Sequence, residues 1–203
     1  DKFEFHIQKV CIFSFKTGKV RFAGSFQDYA ENQKQGRLSG FLTLEEGGVL
    51  ENRMERLDEL YEKGIRVINM TWNHENCLGY PHNAPHSGHR GLKPFGFEVL
   101  ERMDELGIVA DVSHLSDEGF QDIIRYGRRP VIATHSDARS LRAVSRNLSD
   151  AMIRQIADCG GIIGVNFYSD FLSDDPVSRI SDIIRHCRHI INVGGEVPCN
   201  GKR

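Results

Sequence analysis

The chain has 203 residues, with 26 basic side chains against 28 acidic ones and a formal net charge of −2 when histidine is neutral. No lysine or arginine run is dense enough to displace many counterions, which argues against a nucleic-acid partner. The longest apolar stretch, around Gly161 to Phe167, falls far short of the roughly 20 residues of a membrane helix, so a soluble protein with no membrane span is expected.

The length suits one sizeable core, and a single domain over 1–203 is expected. In chain order, residues 1–16 are rich in Phe and Ile without a clean period. Val20 to Gly24 reads as a strand and Phe26 to Gln35 as a helix. From residue 37 onward, short apolar runs alternate with amphipathic segments, the signature of successive βα units on a parallel sheet. The pattern predicts strands over about 38–46, 65–71, 108–113, 130–135 and 161–167, and helices over about 50–63, 94–106, 117–127, 149–159 and 177–193. Gly64, Gly107, Gly127 and Gly160 stand at helix exits, where a left-handed residue is expected. Ser116 and Ser149, each followed by acidic residues, read as helix N-caps, and Pro94 as a first-turn proline. The long irregular connection 73–93 is expected to be functional or mobile.

Five cysteines (Cys11, Cys77, Cys159, Cys187 and Cys199) are odd in number and lack a Cys-x-x-Cys spacing, which predicts reduced thiols. With no leader segment visible, a cytoplasmic location is expected. Cys77 is the obvious candidate nucleophile, but its polar loop offers no recognisable base.

Three predicted strands end on chemistry-bearing residues. Glu46 closes the first, His114 the third and His135 the fourth. Leu42, Leu44 and Glu46 share strand parity, as do Ala110, Val112 and His114, and Val131, Ala133 and His135, so each is expected to extend an inward apolar row. In a parallel α/β protein strand C-termini gather around one cleft. Two neutral imidazoles and a carboxylate suit a hydrolytic zinc ion with a position left for water. A lone strand-end histidine is more often structural; the joint placement carries the argument. Asp111 and Asp137 are candidates to orient the imidazoles, with solvated loop carboxylates the equal alternative. His82, His86 and His89 read as a solvated loop, with an active-site lid as the alternative, because Pro85 and Gly88 break any aligning helix. His74 lies near a strand end, and His186 and His189 read as surface residues of the last helix. Asn166 and Tyr168 stand at the end of the fifth strand, as pocket or packing residues.

The ordered motifs Leu44-Glu-Glu-Gly-Gly48, Leu60-Tyr-Glu-Lys-Gly-Ile-Arg66 leading to Met70-Thr-Trp-Asn73, Arg90-Gly-Leu-Lys-Pro-Phe-Gly96, Asp111-Val-Ser-His114, Thr134-His-Ser-Asp-Ala-Arg139 and Ser145-Arg-Asn147 resemble the membrane (renal) dipeptidase family and its bacterial relatives. The resemblance covers roughly residues 20–195. It implies an α/β fold, a (β/α)₈ TIM barrel of the metal-dependent hydrolase type. It also implies a binuclear zinc site, two zinc ions per site, and hydrolysis of dipeptides by a metal-activated hydroxide. By resemblance Glu46 corresponds to the carboxylate bridging both metals, His114 and His135 to the imidazoles on one zinc, and Arg146 to the arginine that pairs with the substrate carboxylate. Asn73 and Tyr168 are the further substrate-binding expectations. A homodimer is also implied.

There are departures. No His-x-Asp pair for the other zinc precedes Glu46, and residues 194–203 read Gly-Gly-Glu-Val-Pro-Cys-Asn-Gly-Lys-Arg where the family has its last metal-site aspartate. Trp72-Asn73 stands where some members have a histidine near the substrate. Eight βα units need about 250 residues, and five to six are legible here. An incomplete barrel retaining one metal half-site is therefore expected. The alternative to an enzyme is an inactive barrel fragment serving as a scaffold or binding module.

Overall fold

Apolar residues at helical spacing and short β-branched runs separated by glycine build an α/β chain whose strands add to the sheet in sequence order. The computed structural model describes residues 20–85, 90–175 and 177–195. Within these, β1 (Val20–Phe22), α1 (Phe26–Lys34), β2 (Leu38–Gly40) and β3 (Leu42–Glu45) lead into a 3₁₀ turn (Gly47–Leu50) and α2 (Glu55–Glu62). There follow β4 (Ile65–Asn69), α3 (Pro94–Leu106), β5 (Val109–Asp111), α4 (Asp117–Tyr126), β6 (Ile132–Ala133), α5 (Asp150–Asp158), β7 (Ile162–Ile163), α6 (Ser169–Leu172) and α7 (Ile180–Gly194). The main sheet runs β3-β4-β5-β6-β7, every neighbouring pair parallel. That order is the wall of a barrel rather than a doubly wound sheet, which would reverse direction at a switch point.

The predicted strand over 38–46 is two strands. β2 pairs in parallel with β1 and β3 with β4, and the chain passes between the two sheets at Phe41. The other strands are shorter than expected, because the backbone leaves the ladder before the site residues are reached. Leu57, Leu60, Ile65, Ile68, Met103, Phe120, Ile123, Ile153 and Ile156 are buried in one core cluster.

The caps follow the chemistry of exposed helix N–H groups. Ser116 accepts from the Gly119 amide and Ser149 from the Met152 amide, and Pro94 opens α3. Gly107 leaves α3 at φ +79°, in the left-handed region where glycine carries no Cβ penalty. Gly127 departs from expectation with φ −70°. Its need for glycine is space, since a Cβ there would lie 2.7 Å from the Ile123 carbonyl oxygen. Cys77, Cys159 and Cys187 are free thiols, as expected; Cys11 and Cys199, like the unassigned stretch 1–16 and His86 and His89, lie outside the described residues. Among the described residues no helix is long and apolar enough to cross a membrane.

Candidate metal centre

β5 ends at Asp111, and three residues later the backbone takes a left-handed turn at His114, φ +71°. For a residue other than glycine that conformation costs about 1–3 kcal/mol and persists only where the surroundings impose it. Here they do. The His114 carbonyl accepts from the His82 amide at 2.7 Å, Ser116 N–H donates to the Tyr80 carbonyl at 3.0 Å, and Pro81 bridges to Leu115. Residues 80–82 of the connection 73–93 thus run back along residues 114–116 and pin the imidazole over the sheet. His135 follows β6, its amide donating to Ser113 Oγ at 3.2 Å.

The two rings meet edge to face, with His114 Nε2 and His135 Nε2 2.8 Å apart. Glu45 Oε1 completes a triangle, 3.1 Å from the first and 3.2 Å from the second. Ligand atoms on a tetrahedral zinc at 2.0–2.1 Å stand about 3.3 Å from each other, so the triangle has the size a shared cation would impose. The remaining ring nitrogens fix the proton positions. His114 Nδ1 is 2.9 Å from Asn73 Oδ1 and therefore carries the hydrogen. His135 Nδ1 is 2.7 Å from Thr134 Oγ1, whose own proton goes to Asp111 Oδ2, so that nitrogen donates too. Both Nε2 atoms are left as bare lone pairs facing each other and a carboxylate oxygen. Three converging acceptors without a proton between them form a seat for a cation, and a nitrogen and oxygen donor set suits zinc.

Electrostatics keeps the rings neutral. Burial first, then the Arg146 guanidinium and the neighbouring imidazoles, holds His114 at about 3. Burial and Arg146 also lower His135, against the opposing pull of Asp111 and Glu45. Arg146 is itself buried, donating to Ser136 Oγ at 2.8 Å and the His135 carbonyl at 3.0 Å. Burial brings it down to about 10, so it remains a cation at neutral pH.

The model of the membrane dipeptidase family (peptidase family M19) matches residues 7–197. This chain belongs to the membrane dipeptidase family. An uncharacterized protein in the pqqA 5′ region of Klebsiella pneumoniae is 31% identical over 196 residues, 91% of this chain and 71% of that one. An uncharacterized dipeptidase of Schizosaccharomyces pombe is 31% identical over 167 residues, 80% of this chain and 40% of that one. A metallo peptidase from Rhodobacter sphaeroides, liganded with a phosphinate mimic of the dipeptide L-Ala-D-Ala, superposes with TM-score 0.80 at 25% identity. That match covers 87% of this chain and 53% of the other. The fold also resembles an amidohydrolase from Pseudomonas aeruginosa, TM-score 0.82 at 24% identity, over 93% and 57%. The chain thus spans a little over half of the solved dipeptidase-type structures it matches, in keeping with a partial barrel.

The carboxylate touching both imidazoles in this structure is that of Glu45, the neighbour of the Glu46 that the resemblance names. On β3, Leu42 and Leu44 pack toward the core, while Thr43 and Glu45 face the open side where the imidazoles stand. Glu46 lies past the strand's end and caps the 3₁₀ turn, accepting from the Gly48 amide at 2.8 Å and from Asn76 Nδ2 at 3.2 Å. A Cβ on Gly48 would strike that same Glu46 oxygen. The expectation that His114 simply extends the inward row of Ala110 and Val112 is not met, because the left-handed turn at His114 breaks strand parity.

Asn73, expected against substrate, lies with its Oδ1 2.9 Å from His114 Nδ1 and orients that ring. Tyr168 is exposed and stacks edge to face on Phe171, whose ring lies 5.9 Å from the Arg146 guanidinium carbon; Asn166 accepts from the Tyr168 amide. Of the two candidate orienters, Asp111 acts through Thr134, whereas Asp137 accepts from the Asn166 amide and is pushed up to about 7 by burial. His74 packs against Trp72. His186, expected on the surface, is fully buried, accepting from the Ala138 amide and lying 3.0 Å from the Leu172 carbonyl; His189 pairs with Asp150. His82 is half-buried beside His114 rather than solvated.

Sequence reasoning missed Thr134 because a strand threonine carries no signature until its neighbours are placed. Thr134→Val keeps the shape but removes the bridge between His135 and Asp111. Zinc affinity, read by competition with a chromogenic chelator, is expected to fall about 10- to 100-fold. An unchanged affinity would remove Thr134 from the site.

Proposed function

We propose that the chain carries the metal half-site and carboxylate pocket of a zinc-dependent dipeptidase, with His114, His135 and Glu45 holding the cation and Arg146 receiving the free carboxylate of a dipeptide. The observation that carries this reading is the convergence of two proton-free imidazole nitrogens and a carboxylate oxygen within 3.2 Å. When bound, such a cation lowers the pKa of water toward neutrality and polarises a carbonyl oxygen. The protein's own residues do the rest. Asn73 and the Thr134–Asp111 pair hold the rings in their metal-binding tautomer. Arg146, tied to the His135 carbonyl, puts a planar fork of donors beside the ligands, where it selects substrates ending in a carboxylate. The dipeptide mimic in the Rhodobacter sphaeroides relative supports this substrate class. A second zinc per site, implied by the resemblance, requires donors beyond the one cluster found among the described residues.

The open side of the triad, where the Glu45 side chain is 46% accessible, favours a second reading in which the chain binds metal without turnover. Zinc per chain and dipeptide hydrolysis, measured on this polypeptide and on the full-length protein, separate the two. Zinc without hydrolysis in both selects the binding module; no zinc in either ends the proposal.

Resemblance and geometry name different carboxylates, and substitution distinguishes them. Glu45→Gln is expected to weaken zinc binding at least tenfold, since it removes the charged ligand. Glu46→Gln should leave zinc in place and cost the turn about 1 kcal/mol in thermal unfolding. The opposite pattern would return Glu46 to the metal.

A further inference from the structure

We infer that His82 is a positioning residue that ties the metal side of the cleft to its carboxylate-binding side and so sets the length of peptide accepted; the inference rests on the proposed dipeptidase reading. Two bonds of one residue carry it. The main-chain amide of His82 donates to the carbonyl of His114, 2.7 Å away, and its Nδ1 lies 2.9 Å from Ser145 Oγ. Ser145 directly precedes Arg146, and its carbonyl is held from the other side by Arg139 Nη2 at 3.2 Å. Arg139 is in turn locked by a two-pronged pair with Asp117 at 2.6 and 2.7 Å and by the Asn147 carbonyl at 2.7 Å. Residues 145–147 are therefore clamped between a rigid ion pair on one flank and the His82 imidazole on the other.

The His82 ring also stands 6.3 Å from the His114 ring, and Trp72 stands 6.4 Å from it, so the two rings flank one metal-binding imidazole. The span from cation to Arg146 is the span a substrate must bridge between its scissile carbonyl and its terminal carboxylate. A tether across that span makes the cleft a gauge. Cutting the side-chain half leaves the amide bond to His114, and with it the metal site, while Arg146 gains freedom to drift.

The test uses the zinc-loaded full-length protein with dialanine, dialanine amide and trialanine. For His82→Ala, KM for dialanine should rise about tenfold, the loss expected for one hydrogen bond to a positioned group. Turnover number and zinc per chain should stay at wild-type values, and the preference for dialanine over trialanine should narrow. Ser145→Ala should reproduce the rise, the double variant should add nothing further, and His82→Asn, whose amide can occupy the Nδ1 position, should recover most of it. Additive effects of the two alanines, an equal rise for dialanine amide, or no rise at all would overturn the tether. A wild-type protein that binds no zinc or hydrolyses no dialanine would overturn the dipeptidase reading itself, a different result from any of these.

Discussion

His135→Ala in the full-length protein is expected to lose dipeptide hydrolysis by roughly 10³-fold or more, a barrier increase of about 4 kcal/mol. Three donor atoms form the cation seat, and removing one opens the triangle on the side of β6. The fold should survive. The imidazole is partly exposed, its ring meets His114, Glu45 and Thr134, and it is not a member of the core cluster of the described residues. Thermal unfolding of the metal-free protein should therefore shift little, while the stabilisation that zinc gives the wild type should vanish. His114→Ala should be equally inactive yet destabilise the metal-free state more, because it removes the ring's bond to Asn73 at a residue held in a left-handed turn. Normal turnover by either variant would exclude the site.

Arg146→Ala carries the second large effect, on two readouts. For substrates with a free carboxylate, kcat/KM should fall roughly 10²-fold, as expected from losing a charge-assisted forked pair. Amide-terminated dipeptides, which cannot use the fork, should be much less affected. Stability should fall as well, on the order of 3 kcal/mol, because the guanidinium is the buried cation among Asp111, Asp137 and Glu45, and its removal leaves those carboxylates uncompensated. Arg146→Lys should restore part of the stability through its charge without restoring the specificity, since an ammonium cannot reproduce the planar fork. An unchanged specificity constant in the alanine variant would make Arg146 a structural cation only.

Much of this was legible in one dimension. Helix boundaries followed from Ser116, Ser149, Pro94 and Gly107, because capping and φ preference are decided within a turn of the residue concerned. The parallel sheet followed from the alternation of apolar runs with amphipathic ones. His114 and His135 were legible as a pair because strand ends converge in such folds, and the structure brings them to 2.8 Å. Their carboxylate partner was not. Choosing between Glu45 and Glu46 requires knowing where β3 stops, and side-chain parity beyond a strand's last residue is set by the turn that follows; here β3 ends on Glu45. His186 was misplaced for a similar reason. Its helical spacing suggested a surface face, but the carbonyl of Leu172 and the amide of Ala138 come from segments distant in sequence.

The amino-acid sequence by itself determined the α/β alternation, the helix ends, the near-neutral charge and the two imidazoles, since each depends on residues within a few positions or on composition. Only the tertiary structure decided which glutamate meets those imidazoles, that Thr134 and Asn73 set their tautomers, and that His82 leaves its loop to join His114 with Ser145. Those choices depend on side-chain direction and on contacts between segments tens of residues apart, and neither is encoded in local pattern.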